Sequence, residues 1–118
     1  PTPTPSPSPT SFRVTWAGEL VTEARPAARN RCKTETVTAV GSFVTNGVGG
    51  IVQYEWLRKD VNGTIPVPEP AIVVAPGDKS LHFVVTDSWT PPSSGTEQLV
   101  FLMAGSFVVP AQGWSCSG

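Results

Sequence analysis

The chain is poor in charge and in chemically reactive side chains. Of its 118 residues only 14% are charged, and there is one histidine, one methionine, one tyrosine and a single pair of cysteines. Soluble domains usually carry roughly 25% charged residues, so this surface must rely on Thr, Ser, Asn and Gln to stay wetted. A formal net charge of −1 supplies no long-range field to gather nucleic acid or an anionic membrane, and no nucleic-acid partner is expected. Long apolar runs are missing as well. The best of them, AIVVA and LVFLM, fall far short of the roughly 20 residues needed to cross a bilayer, so no membrane insertion by this stretch is expected.

The shortage of reactive groups argues against catalysis. His82 stands alone, with no partner evident for general-base work. Neither GSF segment, at Gly41 or at Gly105, has the G-x-S-x-G spacing of a nucleophile elbow. Glu19 and Glu23, four residues apart on a strand, lie about 13 Å from each other, too far for a glycosidase pair on that spacing alone. Asp60-Val61-Asn62-Gly63 opens like a calcium loop, yet its twelfth position is Ala71 where a bidentate Glu is required. The Gly47–Gly50 segment has no helix after it to hold phosphate. Two cysteines without a vicinal partner and one distant histidine make no zinc set. A non-enzymatic protein without cofactor or metal is therefore expected.

What the chain has in quantity is proline and β-branched residues. Proline occupies every odd position from Pro1 to Pro9, which removes backbone donors and favours an extended polyproline II spacer. Residues 1–11 read as a Pro/Thr/Ser-rich linker and residues 12–118 as one domain. A chain that begins inside such a tract reads as a piece of a larger exported protein. Val, Thr and Ile together number 32 against five Leu, a composition suited to pleated strands.

Period-two patterning agrees. Phe12, Val14 and Trp16 alternate with Arg13 and Thr15, and Val37, Ala39, Gly41 and Phe43 share one face. Asn46-Gly47 and Gly49-Gly50 read as a hairpin turn. Val52, Tyr54 and Trp56 follow on one face of the next strand, and Asp60 with Asn62-Gly63 marks a further turn. Pro66, Pro68 and Pro70 confine their segment to an edge or a crossing loop. In KSLHFVV the parity puts Leu81, Phe83 and Val85 inward and His82 in solvent. With AIVVA, LVFLM and SFVVPAQGWSC the count reaches about seven short strands and no sustained helix. The expectation is an all-β chain, an Ig-like antiparallel β-sandwich. Cys32, before the second strand, and Cys116, ending the last, read as one disulfide, two reduced buried thiols being the alternative.

The order Cys32, TETVTAVGSFVTNG, VQYEWLRKD, LHFVVTDSWTP and a terminal WSC resembles bacterial extracellular Ig-like domains over roughly residues 32–116. The resemblance implies a core aromatic at Trp56 beside Tyr54, and a late cysteine closing onto an early one. The pair departs from the antibody type, which joins the second and sixth strands. It also implies a non-catalytic spacer or recognition module, extracellular or at the cell surface, belonging to the outer part of a membrane receptor or kinase or to a secreted enzyme. Its partners would be an unknown protein, a cell-surface polysaccharide, or other domains of the same chain.

Ligand-binding candidates are Trp16, Trp89 and Trp114, because an exposed indole stacks on a pyranose face. Arg25, Arg29, Arg31 and Lys33 form the one cationic cluster, suited to an acidic polymer or to simple solvation. A carbohydrate-binding module of a secreted glycosidase, similar in linker, length and terminal cysteines, is the alternative to the Ig-like reading.

Overall fold

The structure is a computed structural model that describes residues 11–24, 31–84, 87–105 and 107–117. The Pro/Thr tract before Ser11, and with it nearly all of the expected linker, lies outside the described residues, as do Arg25 and Arg29. Among the described residues nine strands follow one another: β1 Val14–Glu23, β2 Val37–Thr45, β3 Gly50–Asp60, β4 Gly63–Pro68, β5 Ile72–Val74, β6 His82–Phe83, β7 Asp87–Trp89, β8 Gly95–Met103 and β9 Gln112–Trp114. One short 3-10 turn, Cys32–Thr34, precedes β2.

These strands build two antiparallel sheets. The first runs β1-β2-β6, with β7 also on β2; the second runs β4-β3-β8-β9, with β5 also on β3. The registers of β4 and β5 on β3 differ by one residue, and so do those of β6 and β7 on β2. The nine strands therefore lie along seven paths, which matches the number of strands the patterning suggests. Pro66 and Pro68 sit in β4 at the edge of the second sheet, where a missing N–H breaks no ladder.

The core is the sum of the inward alternations. Val37, Ala39 and Phe43 of β2 face Val52, Tyr54 and Trp56 of β3 and Leu99 and Phe101 of β8, all buried. Each fully buried Phe or Leu contributes about 1.5–3 kcal/mol to the folded state. Gly41 interrupts the row for a steric reason. A Cβ there would come within 2.5 Å of Val84 and 2.7 Å of Leu99, so only glycine lets the sheets approach this closely. Cys32 and Cys116 are joined, with Cα atoms 5.0 Å apart. The bridge ties the 3-10 turn to the tail after β9, where Cys32 N–H also donates to the Ser117 carbonyl at 2.8 Å.

Three local expectations are corrected. Asn46–Gly49 does not close a hairpin: β2 and β3 belong to different sheets, and the segment crosses between them. Its Asn46 carboxamide holds the incoming chain, donating to the Ser11 carbonyl at 2.6 Å and accepting from Arg13 N–H at 3.3 Å. The two-residue hairpin lies instead at Asp60–Gly63, where Gly63 takes φ +99° and Asp60 accepts from Asn62 N–H.

Trp16 does not continue the inward face begun by Val14. Val14 pairs with Thr45 but Trp16 pairs with Val44, so Thr15 is an extra residue, a β-bulge that turns every following side chain over. His82 is likewise inward rather than solvated. It pairs with Phe43, whose ring it stacks on at 5.2 Å, and its Nε2 lies 3.0 Å from Asp78. Leu81 and Phe83 are consequently exposed while Val84 is buried.

Candidate functional site

The bulge at Thr15 creates the most distinctive surface on the described part of the molecule. Beyond it, β1 presents Trp16, Gly18, Leu20 and Thr22 on the outer face of the first sheet, and β2 presents Thr38, Val40, Ser42 and Val44. β6 adds Phe83, directly opposite Ser42. Trp16 is 49% exposed, Leu20 61% and Phe83 69%. The indole is not free in solvent: its six-membered ring leans along the strand onto Gly18, where a Cβ would meet Trp16 Cη2 at 3.2 Å. Between the Trp16 and Phe83 side chains lies an open groove of about 410 Å³, lined also by Gly18, Glu19, Leu20, Val40 and Ser42. At the far end the Thr38 and Ser88 hydroxyls are hydrogen-bonded at 3.0 Å.

No outward side chain from Trp16 to Thr22 on β1, or from Thr38 to Val44 on β2, carries a charge. Some ionisable groups lie instead between the sheets. Glu97 of β8 is fully buried, and the Arg58 guanidinium approaches its carboxylate at 3.4 Å while lying 3.8 Å above the Trp89 ring. Trp89 meets Trp114 edge to face at 5.2 Å, and Trp114 donates its indole N–H to the Ser93 carbonyl at 2.8 Å. Such an Arg–aromatic stack beside a buried carboxylate is packing as much as electrostatics.

From β1, Glu19 and Glu23 reach over to the second sheet. Glu19 accepts the Leu99 N–H at 3.1 Å and Glu23 the Ser115 N–H at 2.6 Å. Burial, together with the nearby Glu97 carboxylate, pushes the Glu19 carboxyl up to about 7 against the pull of the Leu99 hydrogen bond. Asp78 goes the other way, held below the usual carboxylate range chiefly by the Ser80 hydroxyl, with the Ser80 N–H and His82 assisting. The described residues contain no cluster of three or more His, Cys, Asp or Glu able to hold a metal ion.

Of the residues singled out from the sequence, Tyr54 and Trp56 lie in the core and Cys32 and Cys116 form the bridge. Trp16, Trp89 and Trp114 do not come together as a strip. Trp16 faces outward, Trp114 is buried and Trp89 is half-buried between the sheets beneath Arg58. Arg31 and Lys33 are exposed around the 3-10 turn.

Sequence reading missed Phe83, Leu20, Gly18 and Ser42 as surface partners of Trp16, since all follow from a bulge and a register that strict alternation does not contain. It also passed over Glu97, although Glu97 shares its parity with Leu99 and Phe101, a visible sign of burial. No protein-family model, no curated protein and no solved structure matches this chain.

Proposed function

We propose that the chain is an exported, non-catalytic Ig-like recognition module carried on a Pro/Thr spacer, and that it meets its partner through the outer face of the β1-β2-β6 sheet. One observation carries this reading: three large apolar side chains, Trp16, Leu20 and Phe83, are held in solvent on one face around a groove. The inner carboxylates support a non-catalytic role, because Glu19 and Glu23 are engaged with backbone N–H groups and Glu97 with Arg58. The disulfide suits an oxidising, extracellular compartment, and no helix among the described residues is long and apolar enough to cross a membrane.

The sequence before Ser11, with proline at every odd position from Pro1 to Pro9, is of the kind that spaces a module from its neighbour. By resemblance, that neighbour is the rest of a membrane receptor or kinase, or of a secreted enzyme. Arg31 and Lys33, exposed near the bridge, offer a secondary contact for an acidic polymer.

The second reading, a carbohydrate-binding module of a secreted glycosidase, draws support from the Trp16 ring laid against Gly18. It draws none from Trp56 and Trp114, which are buried.

The test is to screen the protein against immobilised cell-wall polymers, glycans and extracellular protein domains beside a Trp16→Ser/Phe83→Ser variant of equal thermal stability. At least one ligand should be retained by the wild type and lost by the variant. Identical retention profiles would end the assignment of this face to recognition.

A further inference from the structure

We propose that the groove between Trp16 and Phe83 takes an extended, neutral, β-linked pyranose chain, lying across β1, β2 and β6 at right angles to the strands. This deepens the reading above and rests on the outer face being the recognition surface. The geometry begins with one cross-strand row: Gly18 pairs with Ser42 and Ser42 with Phe83. Because the Trp16 six-membered ring leans onto Gly18, the two aromatic side chains stand at the two ends of that row. Neighbouring strands are about 4.8 Å apart, so two steps separate the rings by about 10 Å.

An extended β-linked pyranose chain advances by nearly one strand spacing per unit and presents the same ring face at every second unit. Units one and three would therefore stack on Trp16 and Phe83, with the second above Ser42. The apolar C–H face of a pyranose suits an aromatic ring, and the Ser42 hydroxyl both donates and accepts, as sugar hydroxyls require.

The floor is low because its central positions are Gly18 and Ser42, and Leu20 with Val40 forms an apolar wall along one side. Charge decides the polymer class. The outward positions of β1 beyond the bulge and of β2 are all uncharged, and the ionisable residue that lines the groove, Glu19, is an acid, so an acidic chain would be desolvated there without a cation to meet it. A second copy of this chain is disfavoured by size. A stable interface buries about 800 Å² per partner, and a patch built on three apolar side chains does not supply it.

The experiment titrates the whole chain with cellohexaose, xylohexaose, the α-linked maltohexaose and the acidic hexagalacturonate, using calorimetry and indole fluorescence. Cellohexaose or xylohexaose should bind with Kd of about 0.1–1 mM. The corresponding disaccharide, too short to reach both rings, should bind at least tenfold more weakly. Trp16→Ala and Phe83→Ala should each weaken hexasaccharide binding about tenfold or more while leaving the melting temperature within a few degrees, since both side chains are exposed. Conservative Phe83→Tyr should retain binding.

Several results would overturn the proposal: no saturable binding of either neutral β-linked hexamer up to about 10 mM, equal binding of maltohexaose or hexagalacturonate, indifference to both alanine variants, or Trp16-dependent self-association. Failure here alongside a Trp16-dependent ligand of another class in the wider screen removes the sugar assignment alone. Failure in both removes the recognition face with it.

Discussion

Glu19 offers the sharpest test of how the two sheets are held together. Its carboxyl leaves β1, passes under the edge of the first sheet and accepts the Leu99 N–H of β8, with the Glu97 carboxylate close by. Burial raises its pKa from 4.5 to about 7. A raised acid pKa means the folded protein binds this proton more tightly than the unfolded chain. The resulting stabilisation is fully present below pH ~4.5 and is lost as the pH rises through about 7. A rise of that size would correspond in full to about 3.4 kcal/mol, but Glu19 is only half-buried and solvent screens it, so about 1–2 kcal/mol is the appropriate expectation.

Glu19→Gln removes the titration while keeping an oxygen able to accept from Leu99. Chemical denaturation and thermal melts of both proteins between pH 4.5 and 8 provide the comparison. Wild-type stability should fall across that window by about 1–2 kcal/mol relative to the variant, the variant gaining on the wild type by roughly 4–8 °C at pH 8. Asp78 does not confuse the reading, because a lowered carboxyl pKa acts in the opposite sense and at lower pH. Parallel stability curves for the two proteins would refute the reasoning about Glu19, and so would a variant destabilised equally at every pH.

Gly41→Ala should cost about 1–3 kcal/mol through overpacking against Val84 and Leu99, visible as a lower denaturation midpoint; an unchanged midpoint would mean the sheets separate freely. Reducing the Cys32–Cys116 bridge, whose partners are 84 residues apart in sequence, should lower the melting temperature by at least about 8 °C for a loss of about 2–4 kcal/mol. Scanning calorimetry with and without reductant decides it. Arg58→Met removes the guanidinium from a fully buried Glu97 and should destabilise by about 3 kcal/mol in urea. Adding Glu97→Gln should recover part of that loss, and a double variant no better than the single would contradict the pairing.

The fold class was legible because each long strand carries its own period-two record. Val37 to Phe43 and Val52 to Trp56 need no tertiary information to reveal their inner faces, and burial follows them residue by residue. Pro66 and Pro68 marked an edge for a reason intrinsic to proline. The disulfide was legible from the absence of any metal or redox partner for two distant cysteines.

Failures occurred where a partner strand, rather than the local sequence, sets the parity. Leu81-His82-Phe83 contains two apolar residues flanking one polar residue, so local reading turns the apolar pair inward. The register on β2 sets His82 against Phe43 instead, and His82 buries its ring by stacking there while its polar Nε2 finds Asp78. The Asn46-Gly47 turn failed similarly. Asn-Gly announces a reversal of direction but does not say whether the next strand joins the same sheet.

The same dependence on a neighbour explains why the candidate site escaped the sequence. In uninterrupted alternation Trp16 and Gly18 would share the inner face with Val14, Ala17 would be outside, and no aromatic would remain on the outer face of β1. Inserting Thr15, whose hydroxyl donates to the Val44 carbonyl at 3.2 Å, exchanges the two faces from that point onward. The interior then receives the small Ala17 and the carboxylates of Glu19 and Glu23, and the carboxylates cross to backbone donors on the second sheet. The exterior receives Trp16, whose burial would have been worth more to the fold than that of Ala17. A fold optimised for stability alone has little reason to make that exchange. The bulge instead gives two results at once: carboxylates positioned to tie one sheet to the other, and an indole placed on an uncharged, low-floored face across from Phe83.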